Sequence, residues 1–76
     1  MTTAETVTTC IAKIMGIAAD TITAETTLES LGIDSLDQIE IAMDIEAALG
    51  IALPDDGIVG ETVGDVIGMV EGVVAA

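Results

Sequence analysis

Residues 33–50 read IDSLDQIEIAMDIEAALG, and no other segment constrains the architecture as tightly. Asp34 suits a helix N-cap, Asp37 puts negative charge into the first turn, and Gly50 stands where a helix ends, so the segment predicts a helix over about 35 to 49. On a wheel at about 100° per residue, Ile41, Ala42, Ile45, Ala48 and Leu49 fall on one side, the natural core face. Leu36, Ile39, Met43 and Ala47 fall on the other, bordered by Asp37, Glu40 and Asp44 on one edge and Glu46 on the opposite edge. A small helical domain has no second core to cover that stripe. The expectation is an exposed apolar strip rimmed by acids, the layout of a docking surface for partner proteins. The alternative is a sandwiched helix with both faces buried.

Working outward, Val7, Cys10, Ile11, Ile14 and Ala18 make an i, i+3, i+4, i+7 stripe, which predicts a first helix over about 3 to 16. Thr2 and Glu5 offer a capping box at its start and Gly16 a stop. Residues 17–34 are Thr-rich with Ile22, Leu28, Leu31 and Ile33 scattered among them, which reads as a long loop tacked to the core by those four side chains; ordered loops of this length are usually functional. Pro54 holds Leu53 extended and marks a break after the second helix. Residues 55–61 have room for one short helical turn, weakened by Gly57 and Gly60. The last helix, about 63 to 74, is capped by Thr62 and Asp65 and carries Val63, Val66, Ile67, Val70 and Val74 at helical spacing. Gly64, Gly68 and Gly72 lie opposite that stripe, on the solvent side, where each should cost about 1 kcal/mol relative to Ala with no packing reason evident. The result is one all-α domain over 1–76, a small four-helix bundle of three main helices and one short helix, with a long loop between the first two.

Composition narrows the function. Of 76 residues, 14 are Asp or Glu and Lys13 is the sole Lys or Arg, for a formal charge of -13. Direct nucleic-acid binding and docking to anionic lipid both need cations that the chain lacks, whereas a basic protein partner would be attracted. The same carboxylates should repel one another at neutral pH and low salt, so added salt or divalent cation should stabilise the fold. With 51% hydrophobic residues there is enough apolar surface for a core. The chain has no His and one Cys, so no Ser-His-Asp or Cys-His arrangement can be assembled and zinc lacks its usual ligands. Neither Asp34 to Asp37 nor Asp55-Asp56 has calcium-loop spacing. A non-catalytic protein without a metal site is expected. The N-terminal MTTAETVTTC lacks the features of a signal peptide and no stretch is long enough to span a membrane, which predicts a cytoplasmic protein without membrane insertion. Cys10, on the apolar stripe of the first helix, reads as a small buried hydrophobe.

Ser35 is the oddity of the second helix. If Asp34 caps, Ser35 occupies the first helical position with its hydroxyl exposed at the positive end of the helix dipole, where an attached phosphate would be tolerated. A solvated serine or an alternative cap would look the same.

LGIDSLD, Leu31 to Asp37, followed by IEIAMDIEAALGIALPDD, resembles the attachment region of acyl carrier proteins of the bacterial fatty acid and polyketide type. The likeness extends over the first helix, the long loop, the Leu53-Pro54-Asp55 break and the TVGDVI that opens the last helix. It implies an acyl-carrier-like four-helix bundle with 4'-phosphopantetheine joined to Ser35 through a phosphodiester. A phosphopantetheinyl transferase would supply that group from coenzyme A, using magnesium. The arm's thiol would then carry acyl groups as thioesters, and the chain itself would catalyse nothing. The same resemblance implies that Asp34, Leu36, Asp37, Glu40, Met43 and Asp44 are docking residues, to which the wheel adds Ile39, and that the partners are acyltransferases, ketosynthases or ligases with basic patches that meet a monomeric carrier. A D-alanyl or other specialised carrier is similar, and an acidic helical interaction module without a prosthetic group is the reading from a different class. The chain departs from the family pattern in having no aromatic residue, where one commonly stands at the position of Leu28.

Overall fold

The computed structural model describes all 76 residues. Three α-helices form: α1 (Thr3–Met15), α2 (Ser35–Leu49) and α3 (Val63–Ala75), with a single 3-10 turn at Ala19–Thr21. Each α-helix begins with a capping box: Thr2 with Glu5, Asp34 with Asp37, and Thr62 with Asp65. In each, the cap oxygen accepts from the backbone N–H three residues on while that residue's carboxylate accepts from the cap N–H, satisfying two donors that a helix start leaves free. Gly16 and Gly50 close α1 and α2 in the left-handed conformation, with φ near +69° and +66°. Helix bounds therefore agree with the expectation to within a residue.

The core is one cluster. Val7, Cys10 and Ile11 of α1, Ile41, Ala42 and Ile45 of α2, and Val63, Val66 and Val70 of α3 meet in it, joined by Ile22, Leu28, Leu53 and Ile58 from the connections. The seam on α3 turns slightly from the expected one, since Val74 is exposed and Val73 packs against the cluster instead. Ala48, assigned to the core face of α2, is also exposed.

Two departures concern the connections. No helix forms over residues 55–61; the short helical element is the 3-10 turn at Ala19–Thr21, in the first connection. The 51–62 segment is a strap, closed by a turn in which the Gly57 N–H donates to the Pro54 carbonyl and pinned by Ile58, which is 0% exposed. Gly57 lies so close under α2 that a Cβ there would stand 2.5 Å from the Gln38 carbonyl oxygen. Helix formation gives way because Gly57 (φ +85°) and Gly60 (φ +145°) take conformations outside the right-handed helix, and because the strap finds its hydrogen bonds on α2 instead.

The second departure is Gly64. The long loop 17–34 is held to the start of α3 by backbone bonds: the Val63 N–H donates to the Thr26 carbonyl at 2.8 Å, the Gly64 N–H to the Ala24 carbonyl at 2.9 Å, and the Leu28 N–H to the Glu61 carbonyl at 3.0 Å. With the Thr62 capping box, every free N–H of the first turn of α3 thereby has a partner. A Cβ on Gly64 would stand 3.0 Å from that Ala24 oxygen, so this glycine does have a packing reason, whereas Gly68 and Gly72 face open space.

Candidate functional site

The start of α2 faces solvent. Asp34 and Asp37 form the box: the Asp37 N–H donates to Asp34 Oδ1 at 2.9 Å and the Asp34 N–H to Asp37 Oδ2 at 3.2 Å. With Asp34 as cap, Ser35 is the first helical residue, exposed, and its hydroxyl is outside the cap. The Ser35 and Leu36 amides, at the first two helical positions, take no partner from the chain and point along the axis at the positive end of α2. A phosphodiester on the Ser35 oxygen would meet free N–H donors and unobstructed solvent, so the residues present fit a phosphate-linked arm.

Along α2 from Ser35 runs the apolar strip. Leu36 is 64% exposed, Ile39 41% and Met43 61%, and Ala47 continues the line. Exposure of this stripe while Ile41 and Ile45 are fully buried excludes the sandwiched alternative. The rim acids are not equivalent. Glu40 stands free in solvent at one edge, whereas Asp44 bonds Lys13 Nζ at 2.8 Å, tying α1 to α2 with the chain's single cation. That bond, and then the nearby Cys10 thiol, hold the Asp44 carboxyl below its ordinary range and keep Lys13 charged. On the opposite edge, Glu46 Oε2 accepts the Leu53 N–H at 2.6 Å and anchors the strap. With Asp44 offset by Lys13, the uncompensated negative charge of the strip is concentrated toward its Ser35 end.

The strap borders the same strip. The Ile58 N–H donates to the Gln38 carbonyl at 3.2 Å, and Gln38 Nε2 returns a bond to the Ile58 carbonyl at 3.1 Å. A hollow of about 160 Å³ remains between strap and helix, walled by Ile39, Ala42, Met43, Leu53 and Pro54. A larger open hollow of about 670 Å³ lies at the other end of α2, between Cys10 and Lys13 of α1 and Ala47 to Leu49. Cys10 is buried at its inner wall, its thiol pushed up to about 11 by burial and by the Asp44 carboxylate, so it is protonated and inert at neutral pH, as a packing residue should be. No group of three or more His, Cys, Asp or Glu side chains converges to hold a metal ion, and no helix is long and apolar enough to cross a membrane.

The structure thus places Asp34, Ser35, Leu36, Asp37, Ile39, Glu40, Met43 and Asp44 on one face of one helix and its cap. Residue patterns missed Gln38, Gly57 and Ile58, which hold the strap against that face. The available signal was the apolar pair Ile58-Val59 standing between Gly57 and Gly60 in an otherwise acidic, glycine-rich stretch.

With this geometry goes a family. Residues 5–70 match the family described as the phosphopantetheine attachment site, so the chain belongs to that family, the carrier-protein class to which acyl carrier proteins belong. Among curated relatives, the chain is 38% identical over 63 residues to the meromycolate extension acyl carrier protein of Mycobacterium tuberculosis (strain ATCC 25618 / H37Rv) and 36% identical over 63 residues to that of Mycolicibacterium smegmatis (strain ATCC 700084 / mc(2)155). The first match covers 80% of this chain and 55% of the relative, the second 80% and 64%. It is 42% identical over 59 residues to the acyl carrier protein of Clostridium perfringens (strain SM101 / Type A), covering 75% of this chain and 78% of that one. The chain therefore spans only about half to two thirds of the length of the mycobacterial relatives. Its cofactor is 4'-phosphopantetheine, and family members are carriers, not catalysts.

Proposed function

We propose that this chain is an acyl carrier domain over residues 1–76 that bears 4'-phosphopantetheine on Ser35 and hands thioester-bound acyl groups between cytosolic enzymes of fatty acid or related lipid and polyketide synthesis. The observation that carries the reading is Ser35: an exposed hydroxyl at the first position of α2, clear of the Asp34–Asp37 box, in a chain that matches the attachment-site family. When bound, the arm supplies a flexible thiol on which acyl groups travel. The chain's own residues do the rest. Asp34 and Asp37 fix the helix start so that the Ser35 oxygen is presented outward, and the free amides beside it offset phosphate charge. Leu36, Ile39 and Met43 offer apolar area to a partner, and the acids toward the Ser35 end draw that partner's basic patch into place. The hollow under the strap has Ile39, Ala42 and Leu53 on its apolar side and Glu46 and Asp55 on its polar side; it begins about one turn of α2 from Ser35, within reach of an acyl chain on the arm.

The names of the relatives, one of them concerned with meromycolate extension, favour a fatty acyl cargo. A phosphopantetheinyl transferase is the first partner this function requires. Incubation with coenzyme A, magnesium and a broad-specificity transferase should add one phosphopantetheine to the native chain and none to Ser35→Ala, read by intact mass. No gain in a folded native chain would overturn the reading and leave the strip as the surface of an acidic interaction module.

A further inference from the structure

With no His, Trp or Tyr, this chain has few side chains that a two-electron oxidant can attack: Cys10 and four methionines. The fold sorts these five. Cys10 is buried in the core. Met15 and Met69 are partly buried against it. Met1 is exposed, but it lies by the far end of α2, beside Ala48 and Leu49 at the large hollow. Met43 alone is both open to solvent, at 61%, and central to the strip, between Ile39 and Ala47. It also forms the ridge between two depressions, one shared with Ile14 of α1 and the other with Leu53 and Pro54 of the strap.

We propose that Met43 is a sulfoxidation site through which peroxide-class oxidants weaken the docking of this carrier without unfolding it; this rests on the reading of the strip as a docking surface. The thioether sulfur attacks one peroxide oxygen and the O–O bond breaks. The hydroxide released takes the proton from the oxygen now on sulfur and leaves as water. Sulfur loses two electrons, the peroxide gains them, and the product is the sulfoxide. Its oxygen is a strong acceptor, and the charged side chains that line the two depressions with Met43, namely Glu40, Asp44, Glu46 and Asp55, are carboxylates that cannot donate to it. In the free chain water solvates the sulfoxide, and because Met43 is outside the core the fold is unaffected. On docking that water must leave, and the desolvated oxygen opposes the complex. Enzymatic reduction of methionine sulfoxide makes the change reversible.

The test uses the apo chain, which has no prosthetic thiol to consume oxidant. Limited hydrogen peroxide should place oxygen on Met1 and Met43 while Met15 and Met69 remain thioethers, read by peptide mass mapping, with the melting curve unchanged. Transferase loading should then show a KM raised roughly tenfold by the buried sulfoxide, reversed by a sulfoxide reductase. Met43→Leu should take oxygen only at Met1, and its KM should not respond to peroxide. Oxidation of Met15 or Met69 ahead of Met43, or an oxidised chain that loads with unchanged KM, overturns the proposal. Met43→Gln without peroxide separates the two readings: a KM like that of the native chain sinks the docking strip itself. A raised KM in Met43→Gln, with peroxide still harmless to the native chain, sinks sulfoxidation alone.

Discussion

Gly64 and Gly68 are both helical glycines on the outward side of α3, four residues apart, yet their environments demand opposite outcomes. At Gly68 a methyl group would meet nothing within 4 Å. Replacing it with Ala removes backbone entropy from the unfolded chain and should raise stability by about 1 kcal/mol. At Gly64 the methyl group would meet the Ala24 carbonyl at 3.0 Å, the same oxygen that accepts the Gly64 N–H. Gly64→Ala must push the long loop away and weaken that bond, so it should destabilise. Thermal unfolding followed by circular dichroism should show Gly68→Ala melting about 5 °C above the native chain and Gly64→Ala below it. Wheel geometry treats these positions alike, because it knows the helix and not the loop that crosses it. Ser35 is the contrary case: an exposed hydroxyl at a helix start was legible from Asp34 and Asp37 alone, since capping is set by residues three apart.

At the scale of elements, the caps and stripes of α1, α2 and α3 could be read locally, and the exposed strip of α2 followed from its two-sided pattern. The strap could not. Its shape depends on Gln38, twenty residues before Ile58, and on the absence of a side chain at Gly57, where the backbone of α2 passes. Because Ile58 is the strap's only completely buried side chain, truncation there should act on the whole fold. Ile58→Ala should cost about 2 to 5 kcal/mol, comparable to the entire net stability expected of so small a core. Urea unfolding should find Ile58→Ala largely unfolded without denaturant and Ile58→Val displaced by only about 1 kcal/mol. Near-native behaviour of Ile58→Ala would mean that the strap is dispensable to the core.

For the molecule as a whole, charge dominates. With a formal charge of -13 and no cluster that could cage a cation, added sodium or magnesium salt should raise the melting temperature at neutral pH by screening, without a saturable transition. The pH profile has two limbs. Glu5 and Asp65 are held low by the backbone N–H groups of their capping boxes, and Asp44 by Lys13. Their stabilisation is present above the ordinary carboxylate range and is lost as pH falls through it, since the unfolded chain takes up protons first. Cys10 titrates the other way: raised from 9.0 to about 11, it keeps its proton where the unfolded chain has lost it, so stability declines between those values. Lys13, also raised by Asp44, carries the decline on above its ordinary value of 10.5. Melting temperatures measured across this range should fall on the alkaline side, and Cys10→Ala should shallow that fall while lowering the plateau; an unchanged slope would show that the thiol does not titrate there.

What the chain settled by its own order of residues is whatever acts over three or four positions: three capping boxes, two glycine stops, the amphipathic stripes, the outward Ser35 and the acid-rimmed strip. The overall charge, the lack of catalytic side chains and the family likeness were legible there too. Tertiary structure alone decided that Lys13 offsets Asp44, that Glu46 serves the strap, that Ile58 completes the core, and that Gly64 makes room for Ala24. Each of these joins groups far apart in the chain, at distances set by how the helices cross. No periodicity records such a pairing, because its energy exists only once the core has brought the two partners together.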